Sequence, residues 1–117
     1  MSTIVYIDDE EIVCRAIALS LRGCGHQLVT FCDPRAALEH IRANPPALII
    51  CDYRMPGLDG LEVLDNLELD VPFVLISGYL SVELPDDPRL VKLLSKPVRP
   101  EELLEVVETF AGQASTD

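Results

Sequence analysis

Ala47-Leu48-Ile49-Ile50-Cys51-Asp52-Tyr53-Arg54-Met55-Pro56-Gly57-Leu58-Asp59-Gly60 reads as strand, turn and helix start in one run. An apolar run stops at an acid, a Pro-Gly pair bends the chain, and a leucine pattern of helical period begins. Residues 47–51 do not alternate, as expected of a strand buried on both faces in a parallel sheet. The helix predicted over 58–69 carries Leu61, Leu64 and Leu67 on one stripe and returns the chain for another strand.

The same unit recurs in both directions. Apolar runs at 3–7 and 27–31 precede it, and runs at 72–76 and 90–94 follow. Between them, residues 11–23 place Ile12, Ala16, Ile17 and Leu21 at helical spacing and stop at Gly23 and Gly25, where glycine suits a helix end. Asp33 followed by Pro34 reads as an N-cap and first helical residue, with Ala37, Leu38 and Ile41 facing inward until Pro45 and Pro46. Pro100 opens a last helix with Glu101 and Glu102 in its first turn and Leu103, Leu104, Val107 and Phe110 inward. Strand then helix, repeated, predicts a doubly wound α/β domain around a five-stranded parallel sheet. The crossover from 77 to 89 departs from this pattern. Pro85 and Pro88 break helix interiors, so a short or irregular fourth helix is expected within 79–84, and the tail after Phe110 is expected to fray.

Composition bounds the function. The chain has 117 residues, 49% hydrophobic, with 9 Lys+Arg against 20 Asp+Glu and a formal charge of −11. This describes one domain over residues 1–117 with a workable core. The few basic residues are scattered, which argues against direct nucleic-acid binding. No apolar run approaches a membrane span and no secretory signal is visible, so a cytoplasmic location is expected. Cys14, Cys24, Cys32 and Cys51 form no CxxC pair and read as reduced, packed thiols.

In an open parallel sheet, ligands bind beyond the carboxyl ends of the strands. Asp8 and Asp9 follow the first run, Asp52 the third and Ser77 the fourth, while the fifth leads to Lys96 and Pro97. Singly, each could be a cap, turn residue or solvated charge. Jointly, three carboxylates at one sheet edge repel unless a cation intervenes. Mg²⁺ suits such a site, and a carboxylate beside it can attack a phosphoryl group; Asp52, ending a central strand, is the predicted nucleophile. Lys96 and Ser77 could each serve a phosphoryl oxygen.

Asp8-Asp9, the run from Asp52 to Gly60, Ser77-Gly78 and Lys96-Pro97 together resemble the motif set of the receiver domain of two-component response regulators, over essentially the whole chain. The resemblance implies a flavodoxin-like sheet of order 2-1-3-4-5. It implies that Asp52 accepts a phosphoryl group from a phosphohistidine on a histidine kinase or histidine phosphotransfer protein and then changes partner interactions. By the same resemblance, Asp9, Asp52 and the Arg54 carbonyl ligate Mg²⁺ directly and Asp8 acts through water. Ser77 and Lys96 bind phosphoryl oxygens near the Gly78 amide, Pro56 and Gly57 shape the loop, and Lys96-Pro97 is a cis peptide. Such a domain catalyses only its own phosphorylation and dephosphorylation, and a monomer or weak dimer is expected. The family's usual Tyr or Phe three residues before the lysine is Leu93 here. The Ser77-Gly78-Tyr79 run and the shortened, Pro-containing crossover resemble receivers attached to hybrid sensor kinases or stand-alone relay receivers more than those fused to DNA-binding domains.

Two other readings remain in view. A pseudo-receiver would bind partners without phosphorylation. A Mg²⁺-dependent phosphohydrolase of the haloacid-dehalogenase type would have a second Asp two residues after the nucleophile, where Arg54 stands. Tyr53 reads as a packed aromatic that could shield the site. His26 and His40 are isolated, and Gly23-Cys24-Gly25 does not follow a strand, which argues against a nucleotide loop.

Overall fold

A computed structural model describes residues 2–78 and 83–112. Strands β1 (Thr3–Ile7), β2 (Gln27–Phe31), β3 (Leu48–Asp52), β4 (Phe73–Ser77) and β5 (Leu90–Ser95) form one parallel sheet of order β2-β1-β3-β4-β5. Helices α1 (Glu11–Ser20), α2 (Pro34–Ala43), α3 (Gly60–Asn66) and α4 (Pro100–Val106) cover it, and a wider π-type turn, Val107–Ala111, continues α4. Every residue of β3 and β4 is buried, whereas the edge strands β2 and β5 are partly exposed, which explains why the central runs do not alternate.

Because successive side chains on a strand point to opposite faces, each central strand feeds two cores. Ile4 and Tyr6 of β1, Leu48 and Ile50 of β3 and Val74 and Ile76 of β4 pack with Ile17, Leu21, Leu103 and Val106 of the α1 and α4 side. Val5, Ile7, Ile49, Cys51, Phe73 and Leu75 pack instead with Ala37, Ile41, Val63 and Leu64 of the α2 and α3 side.

The capping signals act as read at α2, where Asp33 accepts from the Arg35 amide and Pro34 is the first helical residue. At α3, Asp59 and Glu62 cap each other's amides and set the start at Gly60, while Leu67 is already extended, so this helix is shorter at both ends than the span 58–69. Helix α1 ends at Ser20, earlier than Gly23. Its buried stripe runs through Cys14, Ile17 and Leu21, which leaves Ile12 facing solvent at 80% exposure rather than inward. Two residues are about 200° apart around a helix, so burying Cys14 turns Ile12 outward. Ala16 is also exposed, and so is Leu104 of α4, where Leu103, Val106 and Val107 take the inward positions. Residues 83–89 contain no helix; the expectation of a short helix within 79–84 otherwise falls on residues 79–82, outside the described residues, as does the tail beyond 112.

The segment entering β5 is held by Arg89. Its guanidinium donates to the carbonyls of Leu64, Leu67 and Leu69 at 3.0–3.1 Å and pairs with Asp87 at 2.8 Å. The chain leaving α3 thereby finds donors for its orphan carbonyls.

Candidate functional site

Ladder bonds align the strand tips. The Asp8 amide donates to Phe31, the Tyr53 amide to Ile76 and the Lys96 amide to Ser77, so the chain stays paired to the last residue on both sides of β3. Asp52 and Ser77 are therefore the final residues of β3 and β4 rather than the first beyond them. Asp8 and Asp52 share the parity of Tyr6 and Ile50, which directs both toward the α1 and α4 face.

One carboxylate oxygen from each of Asp8, Asp9 and Asp52 lies within 4.8 Å of the others. Asp8 and Asp52 are buried and Asp9 is exposed. The Asp8 carboxylate is fully engaged: Oδ2 accepts from the Tyr6 hydroxyl at 2.9 Å and Oδ1 from the Glu10 amide at 3.0 Å. Asp52 is different. The Lys96 ammonium stands 2.8 Å from Asp52 Oδ1, yet that buried oxygen has no aligned hydrogen-bond donor among the described residues. The contact is an ion pair made at a poor angle, from a lysine that is 41% exposed.

The titration behaviour follows. Burial is the largest influence on Asp52 and raises its pKa; Lys96 pulls it down, Asp8 and Asp9 push it up, and the balance lies above the ordinary value of 3.8. Burial works against the Lys96 charge, but Asp52 beside it prevails and the ammonium is held above its ordinary pKa. Burial, then Asp8, pushes the Tyr6 phenol up, so it stays a hydrogen-bond donor at neutral pH.

Around this centre, Ser77 is buried at the end of β4 and Gly78 is exposed just beyond it. Arg54 and Pro56 are exposed and, with Tyr53, Met55 and Asp59, line a surface depression of about 510 Å³. Tyr53 is half-buried against the α2 and α3 core. Gly57 adopts φ +88°, a conformation that side chains resist. Lys96-Pro97 is cis. Leu93, at the position of the expected aromatic, is half-buried against the α2 and α3 core. His26 reaches the Gly112 carbonyl at 3.1 Å and His40 packs on Phe31, both away from the cluster.

Two contributors escaped the sequence reading. Tyr6 could have been found by period: two residues before Asp8 on one strand, it must share that face. Gly60 packs so closely that an added Cβ would stand 2.6 Å from the Asp52 carbonyl oxygen. Its amide donates to Tyr53 at 2.7 Å, which seats the head of α3 directly on the end of β3.

The response regulator receiver domain family model matches residues 4–108. This chain belongs to that family. As a receiver domain of two-component signalling it is 28% identical to the response regulator receiver protein CpdR of Brucella abortus (strain 2308), over 92% of this chain and 95% of that protein. It is 31% identical to the two-component response regulator ARR10 of Arabidopsis thaliana, over 86% of this chain but only 19% of that longer protein. Among solved structures, the receiver domain from the hybrid histidine kinase CckA superposes with a TM-score of 0.78 at 28% identity, covering 93% of this receiver and 98% of that chain. No helix among the described residues is long and apolar enough to cross a membrane.

Proposed function

We propose that this receiver domain, acting as one unit over residues 1–117, takes a phosphoryl group onto Asp52 from a phosphohistidine of a histidine kinase or histidine phosphotransfer protein. The observation that carries the reading is the state of Asp52: a buried carboxylate oxygen lacking an aligned donor, beside two further acids and an ammonium at 2.8 Å. Hard oxygen donors at this spacing fit a hard divalent cation. Asp9, Asp52 and the Arg54 carbonyl would hold Mg²⁺ directly. Asp8, whose two oxygens already accept from Tyr6 and Glu10, would act through water. When bound, the ion supplies positive charge against the oxygens of the transferring group.

The remaining work belongs to the chain. Asp52 presents its oxygen to phosphorus while the bond to the donor imidazole breaks. Lys96 exchanges its imperfect contact with Asp52 for a phosphoryl oxygen, and the Ser77 hydroxyl and Gly78 amide take others. Pro56, Gly57 and Pro97 fix the loops that carry these groups. The new charge then biases partner binding. The exposed Ile12 supports a protein as donor: it lies with Val13, Ala16, Pro97 and Pro100 along a groove that reaches Lys96 and Gly78, where apolar contact can seat a partner.

The test is an acyl phosphate with Mg²⁺, read by intact mass. One phosphate is expected on the wild type and none on Asp52→Asn; an adduct persisting in that variant overturns the assignment. Ile12→Ser should keep the acyl phosphate reaction and slow transfer from a phosphohistidine protein at least tenfold.

A further inference from the structure

Cys14 and Cys32 stand apart from the chemistry proposed for Asp52. Cys14 lies in the first turn of α1 and is 3% exposed, whereas Cys32 follows β2 directly and is exposed. They are 18 residues apart in sequence, yet their sulfurs are 3.8 Å apart, at van der Waals contact. The reason is topological. β2 pairs with β1 in register up to Ile7 and Phe31, and the Asp8 amide extends that ladder to the Phe31 carbonyl, so the chain beyond β2 lies beside the start of α1. The Cys14 sulfur also reaches the carbonyls of Asp8 at 3.3 Å and Phe31 at 3.8 Å, which keeps it at the junction of β1, β2 and α1.

The other thiols are placed differently. Cys51 is buried on β3, where its sulfur contacts the Asp52 carbonyl, and Cys24 reaches only the His26 carbonyl at 3.8 Å. Among the described residues, Cys14 and Cys32 are the sulfur pair in contact.

We infer that Cys14 and Cys32 form a reversible intramolecular disulfide site, open to peroxide through Cys32. An exposed thiolate is the form that reacts, and a second thiol in reach resolves the product. Cys32 attacks one peroxide oxygen; the O–O bond breaks, water leaves, and Cys32 becomes a sulfenic acid. The Cys14 sulfur then attacks the Cys32 sulfur, the S–O bond breaks, and the hydroxyl leaves with the Cys14 proton as a second water. Two thiols lose two electrons and one peroxide is reduced to water. Cys14 is buried and Cys32 is exposed, so peroxide reaches Cys32 first and Cys14 serves as the resolving group. Closing the bond brings the two sulfurs from 3.8 Å to about 2.05 Å. It would tie the start of α1 to the tip of β2, on either side of Asp8 and Asp9.

The test oxidises the full chain with hydrogen peroxide under denaturant-free conditions, then counts thiols and maps peptides. Two of the four thiols should be lost with a mass lower by two hydrogens, in a monomeric product with a Cys14–Cys32 cross-link that dithiothreitol reverses. Cys32→Ser, at an exposed position, should abolish the cross-link, and Cys24→Ser should leave it intact. Retention of all four thiols, stepwise oxygen addition at Cys32 alone, or Cys32-linked dimers would each overturn the proposal.

Discussion

Asp87 and Asp52 each face a basic side chain, and the molecule treats them in opposite ways. At Asp87 the Arg89 guanidinium makes aligned bonds to both carboxylate oxygens, and its remaining donors reach three backbone carbonyls. That arrangement holds the Asp87 carboxyl below its ordinary pKa, chiefly through the Arg89 hydrogen bonds. At Asp52 the lysine contact is short but poorly aligned, the nearest acids repel, and burial raises the pKa. A region that only has to hold the fold satisfies its polar groups; a region meant to receive a ligand keeps some of that capacity unspent.

The largest expected effect is on the satisfied side. Arg89→Ala should cost about 3 kcal/mol in denaturant unfolding, since several charge-assisted bonds to carbonyls vanish together, while acyl phosphate still labels Asp52 at the wild-type rate. A large loss of labelling would break the separation of the two regions. On the unsatisfied side, Mg²⁺ at one hundred times its dissociation constant should stabilise the fold by about 2.7 kcal/mol. Thermal unfolding should show this rise in the wild type and lose it in Asp9→Asn. Next, Tyr6→Phe should destabilise the apo domain by about 1.5 kcal/mol, because a buried carboxylate oxygen of Asp8 loses its donor.

The smallest effects carry the sharpest contrast, because they differ in sign. Asp87 has a depressed folded pKa, so its contribution is present above the unfolded value near 3.8 and fades as pH falls through the folded one. Asp52 has a raised folded pKa; the fold prefers it neutral, and stability is lost as pH rises from 3.8 through the folded value. Without divalent cations, Asp87→Asn should therefore lower the neutral-pH melting temperature and Asp52→Asn should raise it. Both differences should shrink in acid. Melting curves from pH 3 to 7 test this, and shifts of the same sign would remove the distinction.

Much of this architecture was legible because its signals are local. Apolar runs, Asp33-Pro34 and the acids closing each run lie within a few residues of the structure they produce. The apolar runs 47–51 and 72–76 stop one residue short of the ends of β3 and β4, because inclusion of Asp52 and Ser77 depends on cross-strand bonds such as Tyr53 to Ile76. The exposure of Ile12 is not legible, because a sequence gives the helical period but not which stripe the sheet will cover. Arg89 was unreadable for a related reason: the carbonyls it binds lie 20–25 residues earlier. The sulfur contact of Cys14 with Cys32 likewise needs the pairing of β1 with β2.

Helix α3 is fixed at both ends. Gly60 seats its head on the Asp52 carbonyl with no room for a methyl group, and Arg89 grips the chain at its tail. Such a helix behaves as a strut between the end of β3 and the entrance to β5. It should neither slide along the sheet nor tilt away if Asp52 is phosphorylated as proposed, so amide exchange should stay slow there while protection changes in elements without anchors of this kind.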